Sequence, residues 1–149
     1  HGISSCMETC GFGDYANLKS WLPYMDYFLF DYKAADPILH KKLTGVNNHL
    51  ILRNLKKLNA DGAKIILRCP LIPGVNDSQE HLLSIARLAD RLENVRGIHL
   101  EPYNPLAAGS YECLGIEAPL QLTGFPSDDI VELWRNTISS ATEKTVIRP

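Results

Sequence analysis

"NNHLILRNLKKLNADGAKIILRCPLIPG", residues 47–74, holds a helix, a stop and a strand in one run. Leu50, Ile51, Leu55 and Leu58 form one apolar stripe, so residues 47–62 read as an amphipathic helix. Gly62 ends it, because glycine takes the left-handed C-terminal conformation without strain. "AKIILRCPLIPG" (63–74) is then a strand that runs into a Pro/Gly loop.

The same alternation extends both ways. "GISSCMETC" (2–10) reads as a strand, "DYANLKSWLPYM" (14–25) holds a helix that stops before Pro23, and "DYFLFDYK" (26–33) is an aromatic strand with a polar end. "DPILHKKLTG" (36–45) is a short helix with Asp36 as N-cap, Pro37 in the first turn and Gly45 as C-cap. "DSQEHLLSIARLADRLEN" (77–94) opens with Asp77 or Ser78 followed by Glu80, and sets Leu82, Ile85, Ala86, Ala89 and Leu92 on one face. "RGIHLEPY" (96–103) is a strand. Residues 104–125 form a long irregular loop, either a lid or simply variable sequence. "SDDIVELWRNTISSATEK" (127–144) is a helix with Ile130, Leu133, Trp134, Ile138 and Ala141 facing inward, and "TVIRP" (145–149) closes as a strand. Strands separated by helices imply an α/β fold of parallel strands with right-handed crossovers. Five strands are few for a closed eight-stranded barrel, so a half-barrel or an open sheet remains. Both collect chemistry at the C-terminal ends of the strands.

The chain has 149 residues and is 45% hydrophobic, which suits one domain with a real core. A net charge of −2 makes no electrostatic case for nucleic acid or an anionic membrane. Apolar runs such as "YFLF" are too short to span a bilayer. Cysteines at 6, 10, 69 and 113 do not resemble a disulfide framework and point to a reducing cytosol. A first residue of His1, with a strand-like run almost at once, leads to the expectation that the chain starts inside a larger protein.

The strand ends are polar: Glu8 and Thr9; Asp31 and Lys33; Arg68; Glu101, Tyr103 and Asn104. Alternation along a strand puts Asp31 and Lys33 on one face, and likewise Cys6, Glu8 and Cys10. Carboxylates, a lysine and an arginine at one mouth suit a zwitterion, although a salt-bridge network on a rim is the plainer alternative. "CMETC" has a C-x3-C spacing, but the third cysteine of a cluster loop would fall at Gly13. Two thiols are too few for a site of three or four, so Cys6 and Cys10 read as small buried or rim-facing residues, with a metal or redox pair as the alternative. His40, His49 and His81 read as surface residues, His99 as a packed strand histidine, and Trp21 and Trp134 as helix-to-sheet packing.

"LFDYKAADPILHKKLTGVNNHLILRNLKKL", "ILRCPLIPGVNDSQEHL", "IHLEPYNPL" and "METCGF" together resemble the glycyl-radical-enzyme activating proteins, radical S-adenosylmethionine enzymes of the pyruvate formate-lyase activating type. The resemblance runs over residues 1 to about 105, with the last helix and strand following in order. It implies the C-terminal part of a partial (β/α)6 TIM-type barrel as a single domain, 1–149, lacking the N-terminal strands. It implies S-adenosyl-L-methionine and a [4Fe–4S] cluster in the full-length protein, a glycyl-radical enzyme as partner, and a flavodoxin- or ferredoxin-type reductant. Carried over residue by residue, it gives Glu8 and Asp31 places around the methionyl end of the cofactor, with a bound monovalent cation as an option. It makes Lys33 and Arg68 polar contacts of the cofactor, and sets Asn104 near the adenosyl part. Asp31, Tyr32 and Lys33 would also touch the partner's glycine loop.

The chain departs from the family pattern in having no C-x3-C-x2-C and no G-G-E, with Glu8 where some members have Asp and Asn104 in place of His. No cluster is therefore expected in this chain, and the isolated chain is expected to be inactive and prone to self-association. Two rivals stand beside this reading: a non-catalytic partner-binding module, and a Schiff-base lyase using Lys33.

Overall fold

A computed structural model of the protein describes residues 2–107, 111, 113–117 and 124–148. Much of the loop expected over 104–125 lies outside the described residues, as do both terminal residues. Five strands are described: β1 Cys6–Thr9, β2 Tyr27–Asp31, β3 Ile65–Leu71, β4 Val95–Pro102 and β5 Val146–Ile147. Between them run α1 Tyr15–Trp21, α2 Pro37–Thr44, α3 His49–Ala60, α4 Gln79–Arg91 and α5 Asp128–Ser139. The strands lie in the order β1-β2-β3-β4-β5, every pair parallel.

That order has a consequence for the site. Right-handed crossovers that always step the same way put their helices on one side of the sheet. The strand burial shows it: Phe28, Phe30, Ile65, Leu67, Cys69, Leu71, Ile98 and Leu100 are buried together with Leu55, Leu58, Ile85, Ala89, Trp134 and Ile138. The alternate strand residues form the second face, where Glu8, Leu29, Asp31, Ile66, Arg68, His99 and Glu101 are half-buried or exposed. This open face carries the polar strand ends.

Local chemistry sets the element ends. Asp36 accepts from Leu39 N at 2.6 Å, Pro37 follows as the first helical residue, and Gly45 leaves α2 at φ 84°. Of the two candidate caps for α4, Ser78 takes the role, accepting from His81 N. Asp77 instead accepts from Gly74 N and closes the preceding turn. Gly11 has φ 69°, and a Cβ there would fall 2.2 Å from Phe30 Cζ. The chain can pass over Phe30 only as glycine.

Several expectations are corrected. His40 and His81 are buried, not on the surface. His40 Nδ1 sits 2.7 Å from Val46 O and 3.0 Å from Thr44 Oγ1, so it ties off the end of α2. His81 Nδ1 accepts from Ala35 N at 3.2 Å. Trp21 is 48% exposed and does not pack on the sheet, whereas Trp134 is buried. In α5 the inward face is Val131, Trp134 and Ile138, while Leu133 is 63% exposed and Ile130 lies at the edge. Of the two places read for Cys6 and Cys10, buried or rim-facing, their exposure excludes the first.

Candidate functional site

The open face converges on Arg68, in the middle strand. Register sets Asp31 beside Arg68, and Arg68 beside His99. Arg68 Nε donates to Glu101 Oε1 at 3.0 Å. Its Nη1 pairs with Glu8 and lies 4.0 Å from Asp31 Oδ1. One guanidinium thus faces carboxylates from three other strands, which its planar fork of five donors allows and a lysine could not match. Lys33 Nζ donates to the other Asp31 oxygen at 2.5 Å. Three carboxylates against two cations leave the cluster one negative charge in excess.

Four of the residues singled out from sequence are therefore brought together: Glu8, Asp31, Lys33 and Arg68. Tyr32 is not among them. It is buried on the helix side, its hydroxyl 3.4 Å from Ser84 Oγ and its ring 5.5 Å from that of His81. Burial raises its pKa from the ordinary tyrosine value. Asn104 is exposed, and its Oδ1 accepts from Leu106 N at 2.9 Å, capping the turn Pro105–Ala107.

Glu101 and His99 complete the cluster; the sequence sets Glu101 among the polar strand ends without a cofactor role and reads His99 as a packed strand histidine. Their alternation on β4 puts them on one face, but only the β3–β4 register places that face against Arg68. His99 is held below the ordinary histidine range by partial burial, with Glu101 opposing and Arg68 adding to the shift. A groove of about 570 Å³ opens beside Lys33, between α2 and the loop after β3, lined by Leu39, Lys42, Ile72 and Val75. A larger groove of about 700 Å³ includes Tyr32, His81 and Arg87 and lies on the helix side, away from the Arg68 cluster.

No protein-family model matches the chain. It is 39% identical over 124 residues to the choline trimethylamine-lyase activating enzyme of Oleidesulfovibrio alaskensis, covering 81% of this chain and 40% of that protein. It is 36% identical over 122 residues to the isethionate sulfite-lyase activating enzyme of Nitratidesulfovibrio vulgaris, covering 79% of this chain and 38% of that one. The chain thus spans about two fifths of the length of these curated relatives. A crystal structure of a domain of pyruvate-formate lyase-activating enzyme from Bacteroides vulgatus matches with a TM-score of 0.76. That match covers 98% of this chain and 82% of that domain at 20% identity, a likeness of fold.

Proposed function

We propose, from the premise that this chain is a homologue of part of the glycyl-radical-enzyme activating enzymes, that it is the part that grips S-adenosyl-L-methionine and faces the partner. Five parallel strands in sequence order are what the later strands of a partial (β/α)6 barrel would supply. The observation that carries the reading is the Arg68 cluster on the open face.

The chemistry of the donors fits the cofactor. S-adenosylmethionine carries a carboxylate, an ammonium and a sulfonium, one positive charge in excess, against a cluster with one negative charge in excess. Lys33 and Arg68 would take the carboxylate, and Glu8, Asp31 and Glu101 the cationic centre. Glu8 and Asp31 each already face a protein cation, and the one spare carboxylate charge suits either the ligand's ammonium or a bound monovalent cation. When bound, the cofactor would supply the radical chemistry for hydrogen abstraction from a glycine of the partner. The role of this chain's residues is to bind and orient.

The cluster itself does not fit these residues. Cys6, Cys10 and Cys113 are exposed, and Cys69 is buried on the helix-facing side. Among the described residues no three His, Cys, Asp or Glu side chains group to hold a metal ion. A standard [4Fe–4S] site takes thiolates from several cysteines converging on one point. The cluster, and the flavodoxin- or ferredoxin-type reductant that would serve it, are assigned to no residue of this chain.

The lyase rival loses ground on geometry. Lys33 donates to Asp31 at 2.5 Å, whereas a Schiff-base lysine is activated by an apolar pocket or a neighbouring cation.

The test is calorimetric titration of S-adenosyl-L-methionine into the wild-type protein and Arg68→Met. Wild-type binding that weakens by about tenfold or more in the variant supports the reading, since a charged hydrogen-bond partner is worth about 1.5–3 kcal/mol. No wild-type binding, or no change in the variant, sinks it. The coding sequence preceding His1 gives a second test: C-x3-C-x2-C followed by G-G-E supports an activating enzyme.

A further inference from the structure

Three asparagines are buried beside the C-terminal ends of strands: Asn48, Asn54 and Asn76, each 2% exposed or less. A primary amide is costly to bury unless its donors are used. Each of these Nδ2 groups donates to two backbone carbonyls. Asn54 holds Gly11 O at 2.8 Å and Gly13 O at 2.9 Å, in the turn after β1. Asn48 holds Ala34 O at 3.0 Å and Ala35 O at 2.9 Å. Asn76 holds Lys33 O and Pro70 O, both at 2.7 Å, and its Oδ1 accepts from Ile72 N at 2.7 Å.

The last two act on one segment. Tyr32 N still bonds to Arg68 O at 2.7 Å. Past that point the carbonyls of residues 33, 34 and 35 are held in succession, the first by Asn76 and the next two by Asn48. Asn76 also ties this segment to the end of β3, which carries Arg68. A lysine side chain is long and flexible, so its ammonium stays in one place only if its backbone is fixed and its partner is near.

We propose that Asn76, assisted by Asn48, is the positioning residue of Lys33. It clamps the ends of β2 and β3 so that Lys33 Nζ turns back onto Asp31 and into the charge cluster. Its importance for activity rests on the reading of that cluster as the cofactor site, but the positioning can be measured without any ligand.

The experiment is competitive labelling of lysines with acetic anhydride, read at each lysine by mass spectrometry, in wild type and Asn76→Ala. In wild type the hydrogen bond of Lys33 Nζ to Asp31 is expected to slow its labelling. In Asn76→Ala its labelling is expected to rise about threefold or more, as for a locally opened segment, while Lys42, Lys56 and Lys64 keep their rates. A lowered melting temperature with Lys33 labelling unchanged overturns the proposal, since that is what a merely structural amide would give. If Asn76→Ala loses its cooperative melt, Asn48→Ala decides with the same two outcomes. Added S-adenosyl-L-methionine separates the two claims. Protection of Lys33 in wild type supports the cofactor reading, and lack of protection counts against that reading alone, leaving the ligand-free result to judge the clamp.

Discussion

Arg68 and Glu101, on adjacent strands, share a hydrogen bond of 3.0 Å from Nε to Oε1, and it leaves the rest of the guanidinium free to face Glu8 and Asp31. Neighbouring carboxylates on an open sheet face repel one another, and Arg68 is what makes the arrangement tolerable. The site is thus held by the group proposed to bind the ligand. A bound carboxylate would have to share Arg68 with the carboxylates already on it.

Arg68→Met should therefore be destabilising at low ionic strength and less so in high salt. The ion pairs are partly exposed, so the loss is set at about 1 kcal/mol. It should shrink as salt screens the repulsion among the carboxylates. Urea unfolding of wild type and variant at low and high salt, both at neutral pH, checks this. An equal loss at both salt concentrations would mean that the methionine disturbs packing and that the carboxylates do not interact.

Gly11→Ala should cost about 2–3 kcal/mol. The left-handed backbone and the Cβ placed inside van der Waals contact with Phe30 both oppose it, and overpacking a rigid core is itself worth about 1–3 kcal/mol. Gly13→Ala two residues on is the control, since its Cβ would meet nothing within 4 Å and its φ is not positive. Denaturant midpoints of the two variants should separate clearly. Equal midpoints would show that Phe30 moves aside.

Much of this architecture was legible in the chain because it rests on local rules. Asp36, Pro37 and Gly45 mark α2 by capping chemistry, and Gly62 marks the end of α3, where φ is 84°. The alternation of strand and helix implied parallel pairing. What was not legible depends on partners distant in sequence. His81 looks like a surface residue on α4 until Ala35 N, 46 residues earlier, supplies its hydrogen bond. Leu133 looks like core until the sheet turns Val131 inward in its place, beside the expected Trp134 and Ile138. Asp31, Arg68 and Glu101 could each be placed at a strand end, but that they meet is a matter of register, which alternation does not fix.

Stability should fall between pH 6.5 and about pH 4 through His81. Burial holds its folded-state pKa down at about 4, against 6.5 for the free side chain, and Nε2 is buried without a partner among the described residues. The unfolded chain takes up a proton through this window while the folded chain does not, so acid favours unfolding. The full shift corresponds to about 3 kcal/mol. His99, also held low, adds in the same direction. Comparing wild type with His81→Gln, which keeps an acceptor for Ala35 N, removes the contribution of the carboxylates. The stability difference between the two should narrow or reverse in favour of the variant as pH falls. A difference independent of pH would show that His81 titrates normally.

The open face also predicts association. Leu29 and Ile66 are half-buried there, Tyr27 is 37% and Ile147 40% exposed, and β1 has a neighbour among the described strands on one side only. Apolar surface beside an unpaired strand edge is the template for a second chain. Sedimentation velocity over a hundredfold range of concentration should show this 149-residue chain shifting to larger species. The shift should survive added salt, because burial of apolar area and not charge drives it. Leu29→Lys puts a charge in the middle of that face and should return the chain to monomer. A single monomeric species at every concentration would mean that the face is adequately covered by its own half-buried side chains, and that its exposure drives no assembly.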